Sequence, residues 1–293
     1  MKKEVFIGGI AILIVIIVAV YSILYYNILG TSNKKDEIVV GLYIGSGTWK
    51  DGIYALKLFF SNYNIGHKEL DSNDIRNNNL SGIDILIIPG GWSWDYHKVL
   101  GATGETSIKN FVDNGGTIIG ICAGAYYLSK RIIWEGRLYT YSLKLINVTA
   151  MGPKEGYPWP TSGIVNITLA TELASSLDRK VVKALYYGGP EFIEVGSDVA
   201  ILAYYADDLK PAIVMGKYGK GTVVLIGVHL EMREDAWPLL LALMKISYKN
   251  TSLYAINTLM TTNIIYQKDL LFLSENLKLV NLMINSLTNF MFP

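Results

Sequence analysis

The sequence has few of the side chains that build disulfide frameworks or metal centres. It contains one cysteine and three histidines. A single cysteine excludes an intramolecular disulfide and a cysteine-rich zinc site, and three histidines leave little for a histidine-rich metal centre. We therefore expect no metal ion, and nothing in the sequence indicates a cofactor.

Charge is also scarce and evenly balanced. Lys and Arg total 26 and Asp and Glu total 25, so the net charge is +1. This balance does not favour a partnership with nucleic acid through a basic face. Charged residues make up 17 % of the chain and hydrophobic residues 51 %, against about 25 % charged in soluble domains. This composition excludes a disordered chain and is typical of a membrane-associated protein.

Residues 5–29 form an uncharged segment long enough to cross a bilayer, for which about 20 apolar residues suffice. Its centre, Ile10 to Val20, consists only of Ile, Val, Leu and Ala. A cleaved signal peptide is the alternative, but no convincing small-x-small cleavage site precedes Gly30. We predict a membrane anchor and short linker at residues 1–36.

The side of the membrane on which the remaining chain lies is less strongly marked. Basic residues flank both ends of the apolar segment, so the positive-inside rule nearly balances. Four Asn-x-Ser/Thr triplets are candidate glycan acceptors, although an Asn-rich chain also contains such triplets by chance. They begin at Asn79, Asn147, Asn166 and Asn250. We predict a single-pass membrane protein with an extracytoplasmic, glycosylated main domain.

Residues 37–250 read as one α/β domain. Short apolar runs at Ile38–Ile44, Ile83–Ile88 and Thr117–Ile121 are typical of buried parallel strands. Helical spacing follows at 49–63, 107–112 and 123–133, and this βαβα order implies a parallel sheet with helices on both faces. Further strands are predicted at 164–169, 199–205, 212–217 and 222–227, and a last helix at 234–248. Residues 251–293 fit a packed helical extension, or else a membrane-surface or partner helix.

Cys122 is the candidate nucleophile. It lies in Gly120-Ile121-Cys122-Ala123-Gly124, directly after a strand and before a helix, which is the context of a nucleophile elbow. A helix N-terminus favours the thiolate form. The alternative is a small buried cysteine at a tightly packed strand end.

His229 and Glu231 are the candidate base and its orienting carboxylate. They follow the strand predicted at 222–227, and the active groups of open parallel sheets gather at the carboxyl ends of strands. Because they are two residues apart, an extended backbone points both side chains the same way. A surface His–Glu pair is the alternative. His67 and His97 lack such a context, and we expect both at the surface or in loops.

Backbone N–H groups of Gly90, Gly91 and Ala123 are candidate oxyanion donors. Gly90 and Gly91 follow the strand at 83–88, and Ala123 follows the nucleophile. An ordinary strand-ending turn is the alternative explanation of the two glycines.

Together these residues resemble the class I glutamine amidotransferase-like superfamily, and within it the N-terminal domain of biotin–protein ligases and its stand-alone relatives. The likeness covers about residues 38–245. It rests on the segments Tyr43–Thr48, Ile88–Gly91, Gly115–Tyr127, Tyr186–Pro190, Lys217–Gly221 and Gly227–Glu231.

The resemblance implies a flavodoxin-like, mostly parallel sheet and a Cys122–His229–Glu231 triad. It also implies oxyanion groups at Gly91 and Ala123, and a cleft lined by Tyr187, Gly188 and Gly189. It transfers no substrate. Too few residues follow position 250 for a ligase domain, so biotin ligation is not expected.

Three functions remain open from the sequence. The first is a membrane-anchored cysteine hydrolase of amide, peptide or ester bonds acting on an unknown small molecule or peptide. The second is a non-catalytic surface binding protein that uses an aromatic rim; its candidates are Trp49, Trp92, Trp94, Tyr126, Tyr127, Tyr157, Trp159, Tyr186 and Tyr187. The third is an amidotransferase subunit serving a separate synthetase. The oligomeric state is not indicated.

Overall fold

A computed structural model describes residues 38–249 of the chain. The predicted anchor at residues 1–36, the sequon at Asn250 and the extension at 251–293 lie outside the described residues. Among the helices within 38–249, none is both long and apolar enough to cross a membrane. Asn79, Asn147 and Asn166 are exposed, and their glycosylation stays a prediction.

Thirteen strands and six α-helices are present in the described part of the chain. The strands are β1 Val40–Tyr43, β2 His67–Leu70, β3 Ile85–Ile88, β4 Thr117–Ile121, β5 Ser129–Trp134, β6 Arg137–Tyr139, β7 Ile146–Gly152, β8 Ser162–Leu169, β9 Val181–Tyr187, β10 Glu191–Ile193, β11 Ala200–Tyr205, β12 Pro211–Tyr218 and β13 Gly221–Ile226. The α-helices are α1 Lys50–Asn62, α2 Ser72–Arg76, α3 Ser93–Asp113, α4 Ala123–Leu128, α5 Thr171–Leu177 and α6 Trp237–Lys249, and a 3₁₀ turn at Glu234–Ala236 precedes α6.

Nine strands form one sheet in the order β2-β1-β3-β4-β13-β12-β11-β8-β9. The first five are mutually parallel. Strands β1, β3, β4 and β13 are buried at every residue, as expected for parallel strands covered on both faces. The parallel α/β half of the prediction is therefore confirmed.

The other half of this sheet is antiparallel, so the expectation of a mostly parallel sheet was wrong for β12, β11, β8 and β9. At the β12–β13 hairpin, the short connection explains the antiparallel pairing. Only Gly219 and Lys220 separate the paired residues Tyr218 and Gly221. A two-residue turn can join only antiparallel neighbours, since a parallel connection needs a crossover of a dozen or more residues.

Helices cover both faces of the sheet. Side chains along each strand point alternately to the two faces of the sheet. On one face, Ile119 and Ile121 of β4 pack in a core with Phe59 of α1 and Leu240 of α6. Ile118 on the same strand faces the opposite core, which contains residues of α3 and α4. The helix predicted at 107–112 is part of the longer helix α3, which begins at Ser93. Within α3, the backbone of Gly101 is not helical.

A second, four-stranded sheet with the order β10-β7-β5-β6 was not expected. The helix predicted at 123–133 was wrong beyond Leu128, since Ser129–Trp134 is strand β5. The Ser129 hydroxyl donates to the Tyr126 carbonyl at 2.7 Å and also contacts the Arg131 carbonyl oxygen at 2.8 Å. This side-chain bonding competes with helix continuation, and the β-branched and aromatic residues that follow favour a strand.

Candidate active site

Cys122 lies on a strained turn between β4 and α4. Its backbone has φ 50° and ψ −106°, a conformation that costs a non-glycine residue energy and that clusters at functional sites. A hydrogen bond from the Cys122 N–H to the Ile226 carbonyl oxygen, 2.8 Å long, stabilises this conformation of the turn. The residue is 6 % exposed and lines a cavity, as an elbow nucleophile requires.

The glycines on either side of Cys122 have a steric explanation. A Cβ at Gly124 would lie 2.0 Å from the Ile88 carbonyl oxygen. A Cβ at Gly120 would lie 2.7 Å from the backbone of Gly124. Strands β3 and β4 can therefore meet the start of α4 closely only because both positions lack a side chain.

His229 and Glu231 form a buried pair just beyond β13. The His229 Nδ1 and the Glu231 Oε1 are 2.7 Å apart, and the two side chains are 1 % and 0 % exposed. The His229 N–H donates to the Leu185 carbonyl at 2.8 Å, which ties this segment to β9. The surface alternative for this pair is therefore wrong.

The pKa of His229 is raised well above its usual value. Burial of the imidazole opposes its charged form, but the nearby Glu231 carboxylate and Cys122 sulfur favour that form more strongly. The other Glu231 oxygen, Oε2, is buried without a hydrogen-bond partner among the described residues. The raised pKa shows that these surroundings favour the imidazolium form of the ring.

The remaining imidazole nitrogen, Nε2, is the one available to a nucleophile, because Nδ1 contacts Glu231. It is buried and has no partner of standard hydrogen-bond geometry in residues 38–249, and the Cys122 thiol donates to the Tyr187 carbonyl at 3.5 Å. Cys122 is still close enough to raise the pKa of His229 as a charge and as a hydrogen-bond partner. Catalytic hydrogen bonds are often poorly aligned before substrate binds, so this arrangement is compatible with proton exchange between Nε2 and Sγ.

The proposed oxyanion residues do not share one role. Ala123 is the first residue of α4, where a backbone N–H has no partner within the helix, and both Ala123 and Gly91 line the cavity. Gly91 has φ 150°, and a Cβ there would lie 1.9 Å from the Gly47 carbonyl oxygen. Gly90 does not line the cavity. A Cβ at Gly90 would lie 2.6 Å from His229 Cε1, so this glycine makes room for the imidazole.

The segment from Tyr186 to Pro190 brings a further wall to the site. Tyr187 and Gly188 line the cavity, whereas Gly189 does not. A Cβ at Gly189 would lie 1.9 Å from the Gly227 carbonyl oxygen, so this glycine allows close packing beside β13. The Tyr186 hydroxyl donates to the Gly189 carbonyl at 2.9 Å.

A buried lysine, Lys154, contacts this wall through Tyr186. Lys154 is 2 % exposed and forms ion pairs with Asp207 and Asp208. The Lys154 N–H donates to the Tyr186 hydroxyl at 2.6 Å. Sequence reasoning missed this residue, because a lysine in a loop carries no signal of its burial.

The cavity at Cys122 has a volume of about 870 Å³ and largely aromatic walls. Six of the aromatic residues predicted for a rim line it, namely Trp49, Trp92, Trp94, Tyr126, Trp159 and Tyr187. Trp134, Tyr139 and Tyr141 also line it and were missed, because they come from the unexpected second sheet and the chain just after it. We call the cavity lined by these nine residues the aromatic cleft.

The other predicted aromatic and histidine residues lie elsewhere. Tyr127 and Tyr186 are fully buried. The ring of Tyr157 packs on that of Tyr186, with ring centroids 5.0 Å apart. His67 is exposed on β2, and His97 is partly exposed on α3, where it contacts Glu105 at 2.8 Å. No group of three or more His, Cys, Asp or Glu side chains within 38–249 is arranged to hold a metal ion.

Comparison with known proteins identifies a family for the chain. The family described as "Biotin-protein ligase, N terminal" matches residues 40–291. The chain is 28 % identical over 172 residues to the biotin–protein ligase of Schizosaccharomyces pombe, covering 53 % of this chain and 27 % of that protein. The chain thus spans only about a quarter of the ligase's length.

Two further similarities are to a synthase subunit and to a glutamine amidotransferase. The chain is 29 % identical over 192 residues to the pyridoxal 5'-phosphate synthase subunit PdxT of Oceanobacillus iheyensis, covering 64 % of this chain and 88 % of that protein. A crystal structure of a glutamine amidotransferase covers 69 % of this chain and 95 % of its own, with a TM-score of 0.54 and 23 % identity. The last similarity shows a shared fold.

Proposed function

The chain belongs to the biotin–protein ligase N-terminal family, and on that basis we propose that it is an amidotransferase-like hydrolase that cleaves an amide, peptide or ester bond through a covalent acyl-enzyme. One observation carries the proposal. Cys122 occupies a strained strand–helix turn beside an imidazole whose Nδ1 is 2.7 Å from a buried carboxylate. A nucleophile, a base and a group that orients the base are thus available at one cleft.

The first half of the reaction forms a thioester. The Cys122 thiolate attacks the substrate carbonyl carbon, so that a C–S bond forms and the carbonyl oxygen becomes an oxyanion. N–H groups of Gly91 and Ala123 stabilise that oxyanion. Collapse of the intermediate breaks the C–N bond, and the proton on His229 Nε2 passes to the leaving amine. Glu231 keeps the imidazole oriented, and we assign it a positioning role.

The second half returns the enzyme to its starting state. His229, now neutral, takes a proton from a water molecule as the water oxygen attacks the thioester carbon. The C–S bond then breaks and releases a carboxylic acid. The thiolate and the imidazolium are restored, so no oxidant, reductant or further cofactor is needed.

A second candidate is an amidotransferase subunit that releases ammonia from glutamine for a separate synthetase. The similarity to PdxT, which spans 88 % of that synthase subunit, favours it. The same acyl-enzyme chemistry serves both candidates, so substrate choice separates them. Biotin ligation is not proposed, because the similarity to the ligase covers 27 % of that protein.

The acyl-enzyme is directly testable, because the chain has one cysteine. The full chain in detergent is mixed with p-nitrophenyl acetate. We expect a burst of p-nitrophenol stoichiometric with protein, with one acetyl group on the peptide containing Cys122. Cys122→Ala should remove both, and Cys122→Ser should slow the burst by about 10³-fold or more. A folded wild type that shows no burst and no acetylated Cys122 contradicts the proposal and leaves a binding protein.

We also propose that residues 5–29 anchor the domain in a membrane and that the domain is extracytoplasmic. The support is the length and apolarity of this segment. The full chain should stay with membranes after extraction with alkaline carbonate, whereas a chain lacking residues 5–29 should be released. Protease added outside intact cells should digest the domain. Release of the full chain by carbonate, or protection from protease, contradicts the anchor or the orientation respectively.

A further inference from the structure

The aromatic cleft has a continuous wall that begins at the nucleophile. The Cys122 thiol contacts the Tyr187 carbonyl oxygen, and the Tyr187 ring stacks on Trp159 with centroids 4.9 Å apart. Trp92 and Trp134 meet Trp159 edge-on at 5.4 and 6.0 Å. Five residues from separate segments thus form one apolar surface leading away from the reacting atom.

Four of the six hydroxyl-bearing residues that line the cleft use their hydroxyl in a hydrogen bond within the protein. Ser93 Oγ and Tyr141 Oη are 2.8 Å apart and bond to each other. The Thr48 hydroxyl donates to the Gly45 carbonyl at 2.9 Å, and the Tyr126 hydroxyl donates to the Gly188 carbonyl at 3.2 Å. A ligand with many hydroxyls needs several convergent polar partners, and the bonds within the protein reduce the capacity of these four hydroxyls to serve it.

Charged recognition groups are also few. Within residues 38–249, the only charged residues that line the cleft apart from His229 are Lys50 and Asp51, and both are exposed. A free amino acid such as glutamine carries a carboxylate and an ammonium group, which are bound well by preorganised charged or hydrogen-bonding partners. Exposed ion pairs contribute little, since water screens them.

The size of the cleft also favours a ligand larger than a free amino acid. Its volume of about 870 Å³ lies near the top of the range of about 300–1,000 Å³ for pockets that enclose drug-sized ligands. An amino acid of ten heavy atoms would leave most of the aromatic wall in contact with water. The cleft therefore suits a larger, apolar group attached next to the scissile bond.

We propose that the substrate is an amide whose scissile carbonyl is flanked by an apolar, aromatic-sized group, as in a hydrophobic peptide segment, and that this group packs against Trp159 and Trp92. The inference rests on the proposed function. It names the substrate class of the same site and disfavours free glutamine and carbohydrate.

Four chloroacetamides that share one reactive group test this specificity. They are 2-chloroacetamide, its N-(2-phenylethyl) derivative, Nβ-chloroacetyl-2,3-diaminopropionic acid and N-chloroacetylglucosamine. In each, the Cys122 thiolate displaces chloride and a C–S bond replaces the C–Cl bond. Alkylation rates of the full chain are measured by intact mass, and each is divided by the rate of the same reagent with glutathione.

We expect the phenylethyl reagent to react about tenfold faster than 2-chloroacetamide after this correction. In Trp159→Ala that ratio should fall to about one third or less. Trp92→Ala, at a residue 53 % exposed, provides a second variant if the first does not fold. Tyr54→Ala removes an aromatic residue that is 65 % exposed and does not line the cleft, and it should keep the wild-type ratio.

The outcomes separate the two proposals. If the diaminopropionate reagent is fastest, the site prefers a free amino acid, and if the glucosamine reagent is fastest, it prefers a carbohydrate; either result overturns the inference while leaving the nucleophile intact. Equal corrected rates for all four reagents also overturn it. If wild type reacts with 2-chloroacetamide no faster than its His229→Ala variant does, the proposed function itself fails.

Discussion

Replacing His229 with alanine is expected to slow alkylation of Cys122 by 2-chloroacetamide about 10²-fold near pH 6.5. In the wild type, the imidazolium stabilises the thiolate that attacks the reagent. The variant has no cation at this position, so its thiol must ionise unaided. The measurement is the rate at which the intact mass of the full chain increases, taken across the pH range in which both proteins remain folded.

The pH dependence follows from the raised pKa of His229. Below that raised pKa the wild-type ring is charged, and the difference between wild type and variant is largest. Above it the ring loses its proton, and above about pH 8.5 a free cysteine thiol ionises without help. The two rate profiles should therefore converge as pH rises.

Two further variants separate charge from packing. His229→Gln fills the cavity that alanine leaves but carries no charge, and it should be as slow as His229→Ala. Glu231→Gln removes the buried carboxylate that favours the imidazolium, so it should shift the profile to higher pH and fall between wild type and His229→Ala. A folded His229→Ala with the wild-type profile rules out an activated thiol.

The residues at the centre of this site could be recognised from sequence because each is tied to a strand end. Cys122 follows β4 and His229 follows β13, and these two strands are parallel neighbours in the sheet. A strand of a parallel sheet is a continuous apolar run, and its end is readable from the residues alone. Two parallel strands that end at one edge bring their following residues together.

The wall of the cleft was harder to predict, because it depends on a sheet with weak sequence signals. Strand β5 has exposed residues at Lys130 and Arg131, and β6 has only three residues. Neither is a continuous apolar run, and Ala123–Leu128 reads as a helix that could continue. Trp134 and Tyr139 reach the cleft only once these strands pair, which is a tertiary event.

The role of Gly90 shows a similar limit. A Gly-Gly pair after a strand predicts a turn and allows N–H groups to approach a substrate. Only the structure shows that Gly90 is beside the imidazole and Gly91 beside the carbonyl of Gly47. Glycine at both positions indicated that another group lies close to the backbone. Which group lies there depends on the packing of segments that are distant in the sequence.

Substituting Gly124 with alanine is expected to lower the free energy of unfolding by about 3 kcal/mol, near the upper end of the cost of overpacking. The added Cβ would lie 2.0 Å from the Ile88 carbonyl oxygen and 2.8 Å from the carbonyl carbon. Because these atoms belong to the backbone of β3, relief requires the strand and α4 to move apart. Thermal unfolding should show a midpoint lower by about 6–12 °C, given the size of this domain.

Gly104 provides the matched control, since it is also a buried glycine within a helix. A Cβ there would lie 3.0 Å from Leu100 Cβ and 3.4 Å from Arg76 Cγ, so a shift of a few tenths of an ångström relieves the contact. The gain of about 1 kcal/mol in helix propensity offsets that contact, so Gly104→Ala should unfold within about 1 kcal/mol of wild type. The Gly124 variant should also lose rapid Cys122 alkylation where it remains folded, because moving α4 from β3 moves the turn that aims the thiol at His229. Equal unfolding midpoints for the two variants contradict this account of the turn.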